Sequence, residues 1–192
     1  MADPIKVKAF KVELDTYDAL TIEAIMENRE ILDRLYRERE TMLNNAYQLE
    51  DGTRVFKSVD GKNVYDEHKN LLSKDAVDAN EIPDHHPKAE PFFEKERLIE
   101  KHEAINNRLT SYQEKLDAAR ERLDEGDLTQ EEFDNLREDL KVDMPIEVRR
   151  KLPDYDPAQE TNLKSDFVAT TKKLVLSPED MRIDPSMDLG IN

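Results

Sequence analysis

The chain has 192 residues, no cysteine, no tryptophan, four glycines, and 45 acidic against 29 basic side chains, a formal charge of −16. Disulfide scaffolds, thiol chemistry and cysteine-ligated metal sites are thereby excluded, and neither glycine-rich phosphate loop, GxGxxG or GxxxxGKS/T, occurs. A surface this negative is a poor match for free nucleic acid, whose binding relies on neutralising phosphates, and no apolar run reaches the ~18–20 residues a membrane span needs.

The N-terminus, Met1-Ala2-Asp3-Pro4, has neither the basic nor the apolar region of a signal peptide. The expected location is therefore cytoplasmic, free or within an assembly made there. Residues 5–14, IKVKAFKVEL, alternate apolar and polar side chains. Ile5 and Val7 lie on one face, and Phe10, Val12 and Leu14 continue on the other, which predicts a strand with a bulge near Ala9-Phe10. Residues 1–15 are accordingly expected to be an N-terminal strand.

Asp15 or Thr16 can cap a long helix over 16–49. Ile25, Leu32, Tyr36, Leu43 and Tyr47 are spaced seven, four, seven and four, a heptad seam. Residues 50–90 differ in kind: TRVFKS and NVYD flank Val59-Asp60-Gly61-Lys62, and a D-G turn between β-branched and aromatic runs predicts a hairpin. Asn70-Leu71-Leu72 either adds a short strand or packs on the hairpin, and Pro83, Pro87 and Pro91 hold the exit extended. A second long helix follows over 91–125. There Leu98, His102, Ile105, Leu109, Tyr112, Leu116, Ala119 and Leu123 step alternately by four and three. Gly126 stops it, Thr129-Gln130-Glu131-Glu132 is a capping box that opens a short helix to about Leu140, and Pro145 begins another turn. Residues 126–152 thus form short acidic helices, and 153–192 read as an extended tail.

The predicted fold is mainly α: a long antiparallel helical hairpin, a coiled-coil stem, with a small β-hairpin head, an N-terminal β-strand and an extended C-terminal tail. A parallel coiled coil between two chains is the alternative. In the hairpin the N-terminal strand lies about 50 Å from the head, so it pairs with residues 174–176 or with another molecule by strand addition.

Residues 114–140, EKLDAARERLDEGDLTQEEFDNLREDL, resemble the SHOCT-type short helical hairpin. The matching positions are Leu123, Gly126, Leu128, Thr129, Glu131, Glu132, Phe133 and Leu136. The resemblance covers about 27 of 192 residues and departs from the family in that some 50 residues follow the motif. It implies oligomerisation or attachment rather than chemistry.

Residues that could carry chemistry are few. His68, His85, His86 and His102 show no metal-ligand spacing: Asp84-His85-His86 point in different directions, and His102 at a heptad position reads as a polar register-setter. Asp124-Glu125-Gly126-Asp127 has its glycine misplaced for a calcium loop. The serines have no nucleophile-elbow context, and Arg149-Arg150-Lys151 suits a helix C-terminal dipole partner better than a nucleic-acid patch. No enzyme activity, cofactor or metal is therefore expected.

What remains is a structural or adaptor protein that binds protein partners, a second copy of the chain included, without direct nucleic-acid binding or membrane insertion. Its partner-binding residues would be Ile5, Val7, Phe10 and Val12 on the edge strand; Asp124, Asp127, Glu131, Glu132, Asp134 and Glu138 in the acidic segment; and Phe167, Leu174 and Leu176 in the tail. The stem core would be Ile25, Leu32, Tyr36, Leu43, Leu98, His102, Ile105, Leu109, Tyr112, Leu116 and Leu123. The alternative is an acidic inhibitor, of the immunity-protein kind, covering a basic site. Residues 124–143 favour it, with nine acids against Arg137 and Lys141 giving −7 of the −16.

Overall fold

The computed structural model describes residues 1–158. The chain divides into two units, Met1–Lys151 and Leu152–Asn192. In the described start of the second, the Tyr155 N–H donates to the Leu152 carbonyl and the Ala158 N–H to the Asp156 carboxylate. The tail anchors Phe167, Leu174 and Leu176 lie outside the described residues.

The first unit is mainly helical. Helix α1 is Pro4–Asn44. A small sheet follows, β1 Tyr47–Gln48, β2 Arg54–Lys57 and β3 Val64–Asp66, in the order β1-β2-β3 with both pairs antiparallel. After a single 3-10 turn at Ala79–Glu81 come α2, Ala89–Glu125, α3, Gln130–Val142, and α4, Ile146–Arg149.

The N-terminal strand is corrected to helix. Residues 5–14 are the first turns of α1, 41 residues and about 60 Å long. Two signals outweigh the local alternation. Asp3 is an N-cap whose carboxylate accepts from the Ile5 N–H at 2.9 Å, with Pro4 just inside the start. Beyond it Phe10, Leu14, Tyr17, Thr21, Ala24 and Asn28 are all buried, stepping four, three, four, three and four. One helix-period face running through residue 14 overrides ten residues of period two, so residues 5–14 form no edge strand.

Helices α1 and α2 run antiparallel, as the order of their cross-contacts shows. Lys11 pairs with Asp124, Asp15 with Arg120 at 3.0 Å, Asn28 with His102, Glu38 with Lys95 and Arg39 with Glu96. Four expected core positions of α2, Leu109, Tyr112, Leu116 and Leu123, are buried, as is Ala119. Nearer the sheet the inward face shifts by about one residue, so Ile99 and Phe92 are buried while Leu98, His102 and Ile105 are only half-buried. The shift has a visible cause. From Arg108 onward α2 also packs on the short helices, with the Tyr112 hydroxyl donating to the Leu140 carbonyl at 3.0 Å and Arg108 and Lys115 pairing with Glu147 and Asp143. On α1, Ile25, Leu32 and Leu43 are buried, but Tyr36 is 41% exposed, its hydroxyl donating to Glu103. Its place is taken by Leu35.

The sheet caps one end of the helix pair. Ser58, Asp60 and Gly61 make the β2–β3 turn, Gly61 in the left-handed region at φ 73°. The Phe56 ring stacks on Phe92 at 4.2 Å over Leu43 and Ala89. The third strand is Tyr47–Gln48, which the sequence pattern had placed in the helix, whereas Leu71 adds a single bridge to Tyr65. At the other end α2 terminates at Gly126, φ 76°, and α3 opens on a capping box in which Thr129 and Glu132 bond each other's backbone N–H. The chain start is tied to this turn: the Ala2 N–H donates to the Leu128 carbonyl at 2.8 Å and the Asp3 N–H to Gln130 Oε1 at 3.2 Å.

Phe10 and Phe133 meet edge to face at 5.7 Å, both essentially fully buried, with the Arg137 guanidinium 5.3 and 5.9 Å from the two rings. Phe10→Ala is expected to destabilise the unit by about 3–5 kcal/mol, whereas Val12→Ala on the exposed face should change stability by less than about 0.5 kcal/mol. Urea denaturation of the two variants distinguishes them; equal effects would refute the helical phase of residues 5–14.

Candidate interaction surface

The sequence-predicted partner residues separate into three fates. Of the four near the N-terminus, Phe10 is core and Val7 is half-buried, while Ile5 and Val12 are 80% and 63% exposed. Val7 joins Met1, Ala2, Lys11, Leu123 and Leu128 around a recess of about 330 Å3 between the first turn of α1 and the α2–α3 turn. This recess is mostly apolar, with the Lys8 and Lys11 side chains also lining it, and among the described residues no carboxylate or histidine joins them there.

The acidic segment is partly neutralised within the unit. Asp124 pairs with Lys11, Asp127 and Glu125 with Arg122, and Asp143 with Lys115. Glu132 serves the capping box, whose hydrogen bonds from Thr129 hold its carboxyl below the usual range, and Asp134 accepts from the Gln130 amide at 3.0 Å. Glu131, Glu138 and Asp139 are exposed and make no such contact among the described residues. Four of the nine acids, Asp124, Glu125, Asp127 and Glu132, are thus engaged at the α2–α3 turn.

The middle of the helix pair carries a polar crossing that apolar counting passed over. Asn28 is 5% exposed. Its amide nitrogen donates to the His102 carbonyl at 2.9 Å, and its Oδ1 lies 2.7 Å from His102 Nδ1. Because that oxygen can only accept, Nδ1 is the donor, and burial pushes the His102 pKa below its ordinary value, with nearby Lys101 acting in the same direction. Thr21, fully buried, satisfies its hydroxyl on the Tyr17 carbonyl at 2.6 Å.

A second polar cluster ties the sheet to the base of α2. Lys57 is nearly buried on β2, donating to the Ile82 carbonyl at 2.7 Å and pairing with Asp84 at 2.6 Å. Asp84 also takes Lys88 at 2.9 Å. Of the Asp84-His85-His86 run, His86 bonds the Asn45 carbonyl at 2.8 Å and packs on Tyr47. Among the described residues no group of three or more His, Asp or Glu is arranged to hold a metal ion, and no helix is long and apolar enough to cross a membrane. Arg149, in the tri-basic run, donates to the Lys141 and Met144 carbonyls at the end of α3.

The residues missed by sequence reasoning are those whose role is set by a partner far along the chain. Lys57, Asn28 and Thr21 look like ordinary surface residues by type. One available signal was the seam spacing of 17, 21, 24 and 28, visible once small and polar residues are admitted to it.

Hydrogen bonds from Lys57 and Lys88 hold the Asp84 carboxyl at about 2, below the ordinary 3.8. A depressed carboxylate contributes stability that is present above the unfolded value and lost as pH falls through the folded one. The urea midpoint of the wild type is therefore expected to fall between pH 4 and 2, and that of Asp84→Asn to fall less steeply over the same interval. Parallel curves would refute the contribution.

No family model matches this chain, and neither does any curated protein or solved structure.

Proposed function

We propose that this chain is a non-enzymatic structural or adaptor protein. Its paired helices act as a coiled-coil stem that sets a distance between two docking ends, the sheet at one and the α2–α3 turn at the other. The observation that carries the reading is the use made of polar groups along α1 and α2. From Lys11–Asp124 to Arg39–Glu96 they join the two helices to each other. Buried positions stepping by four and three on both helices are the spacing of knobs-into-holes packing. The resemblance of residues 114–140 to a SHOCT-type hairpin adds an attachment role for the α2–α3 turn, and the tail residues Phe167, Leu174 and Leu176 would be anchors that order on a partner. We place the protein in the cytoplasm, as a component of a protein assembly.

The second reading, an acidic inhibitor, has Glu131, Glu138 and Asp139 in its favour, since these three carboxylates have no partner among the described residues. It predicts that binding depends on them and weakens steeply with salt.

The test is affinity capture of the full chain from its native host, with the complex weighed, followed by the Glu131→Lys, Glu138→Lys, Asp139→Lys triple variant. Glu132 and Asp134 are left intact because they hold the helix start. The adaptor reading expects a stoichiometric protein complex that survives the triple change at physiological salt. Loss of the complex together with release of an enzyme from inhibition would replace it with the inhibitor reading.

A further inference from the structure

The buried seam accounts for only one face of α1. On the opposite face Ile5, Val12, Ala19 and Met26 recur at every seventh residue, and Ile5, Val12 and Met26 are 80%, 63% and 60% exposed. A helix with a single partner presents one apolar face and one polar face. A second set of positions at seven-residue spacing is the pattern that lies along another helix. Ala9 and Thr16 between them are small and exposed, so a second backbone can approach closely. The stripe extends over residues 5–26, about 33 Å of helix.

Charge along the stripe selects the occupant. At its N-terminal end Lys8, one turn beyond Ile5 on the same face, makes no ion pair among the described residues. At the other end Glu23 and Glu27 share the single ammonium of Lys151, at 2.8 and 2.7 Å, and Glu30 has no partner among the described residues. Glu23, Glu27 and Glu30 against Lys151 and Arg29 leave that end net negative. The face is therefore basic at one end, acidic at the other and apolar along its length, which makes it complementary to itself when reversed.

We propose that the outward face of α1 over residues 5–26 binds a second copy of this chain as an antiparallel twofold dimer. A twofold axis between residues 15 and 16 sets Ile5 of each copy against Met26 of the other, Val12 against Ala19, and Lys8 beside Glu23. The same surface serves both sides, as a twofold interface requires. A parallel pairing would set lysine on lysine and glutamate on glutamate, which is unfavourable. The proposal rests on the adaptor reading and deepens it by naming one partner. With Ala19 opposite Val12 and only three heptad steps, the interface belongs to the small, transient class.

Sedimentation equilibrium of the full chain up to ~200 µM, a range that covers micromolar dissociation constants, is expected to show a mass rising toward twice 22.4 kDa. The Val12→Lys, Met26→Lys variant, changed only at exposed positions, should keep its circular dichroism and stay monomeric. Because the chain has no cysteine, introduced thiols report orientation. Mixed Ile5→Cys and Met26→Cys proteins should crosslink several-fold more than either alone. A wild type that stays monomeric over that range, a lysine variant that dimerises like the wild type, or single thiol variants that crosslink better alone than mixed would each overturn the proposal. A monomer that still captures a different protein from the host leaves the adaptor reading standing with another chain on the stripe, so the two failures are told apart.

Discussion

Everything in the first unit depends on the registered pairing of α1 with α2. Apolar side chains alone would hold two long helices together at several offsets, since Leu and Ile are interchangeable as knobs. The Asn28–His102 crossing removes that freedom. A slip of one turn would strip a buried amide of both its partners, at a cost of order 1–3 kcal/mol for an unsatisfied buried group, and would misalign the ion pairs at both ends of the helices together. The exposed pairs are individually worth little. Their contribution is that all of them are satisfied in one register only.

The two ends translate that register into shape. At one, the aromatic stack of Phe56 on Phe92 fixes the sheet to the start of α2, and Lys57 reaches across to Asp84 so that the connecting loop is held by charge as well as by packing. At the other, Gly126 lets α2 end abruptly, and the capping box relaunches the chain as α3, which covers Phe10 with Phe133. The helix pair is thus bounded by two different closures, one β and one α, each carrying its own exposed features.

The parts of the fold legible in the sequence were those governed by neighbours in the chain. The hairpin around Asp60-Gly61, the stop at Gly126, the capping box at Thr129 and the lower seam of α2 from Leu109 to Leu123 are all specified within a few residues. What was misread required knowing a distant partner. The IKVKAFKVEL segment satisfies period two locally, and only its continuation through Leu14, Tyr17 and Thr21 shows that period 3.6 accounts for more of it. Tyr36 and Leu35 differ by a single position on the wheel, and the choice between them is made by Glu103 on α2. As to the interaction surface, Ile5 and Val12 are read from the sequence as part of an edge strand, whereas they lie on α1 with both side chains exposed.

The clasp that joins the start of the chain to the α2–α3 turn also governs how the protein must be made. The bond from Asp3 to Gln130 spans 127 positions, and the seam of α1 has no complement until α2 exists. During synthesis the first helix therefore emerges with both of its apolar faces uncovered and waits for most of the unit to follow. Long-range closure of this kind slows folding and leaves α1 open to other helices in the meantime, including the α1 of a neighbouring nascent chain.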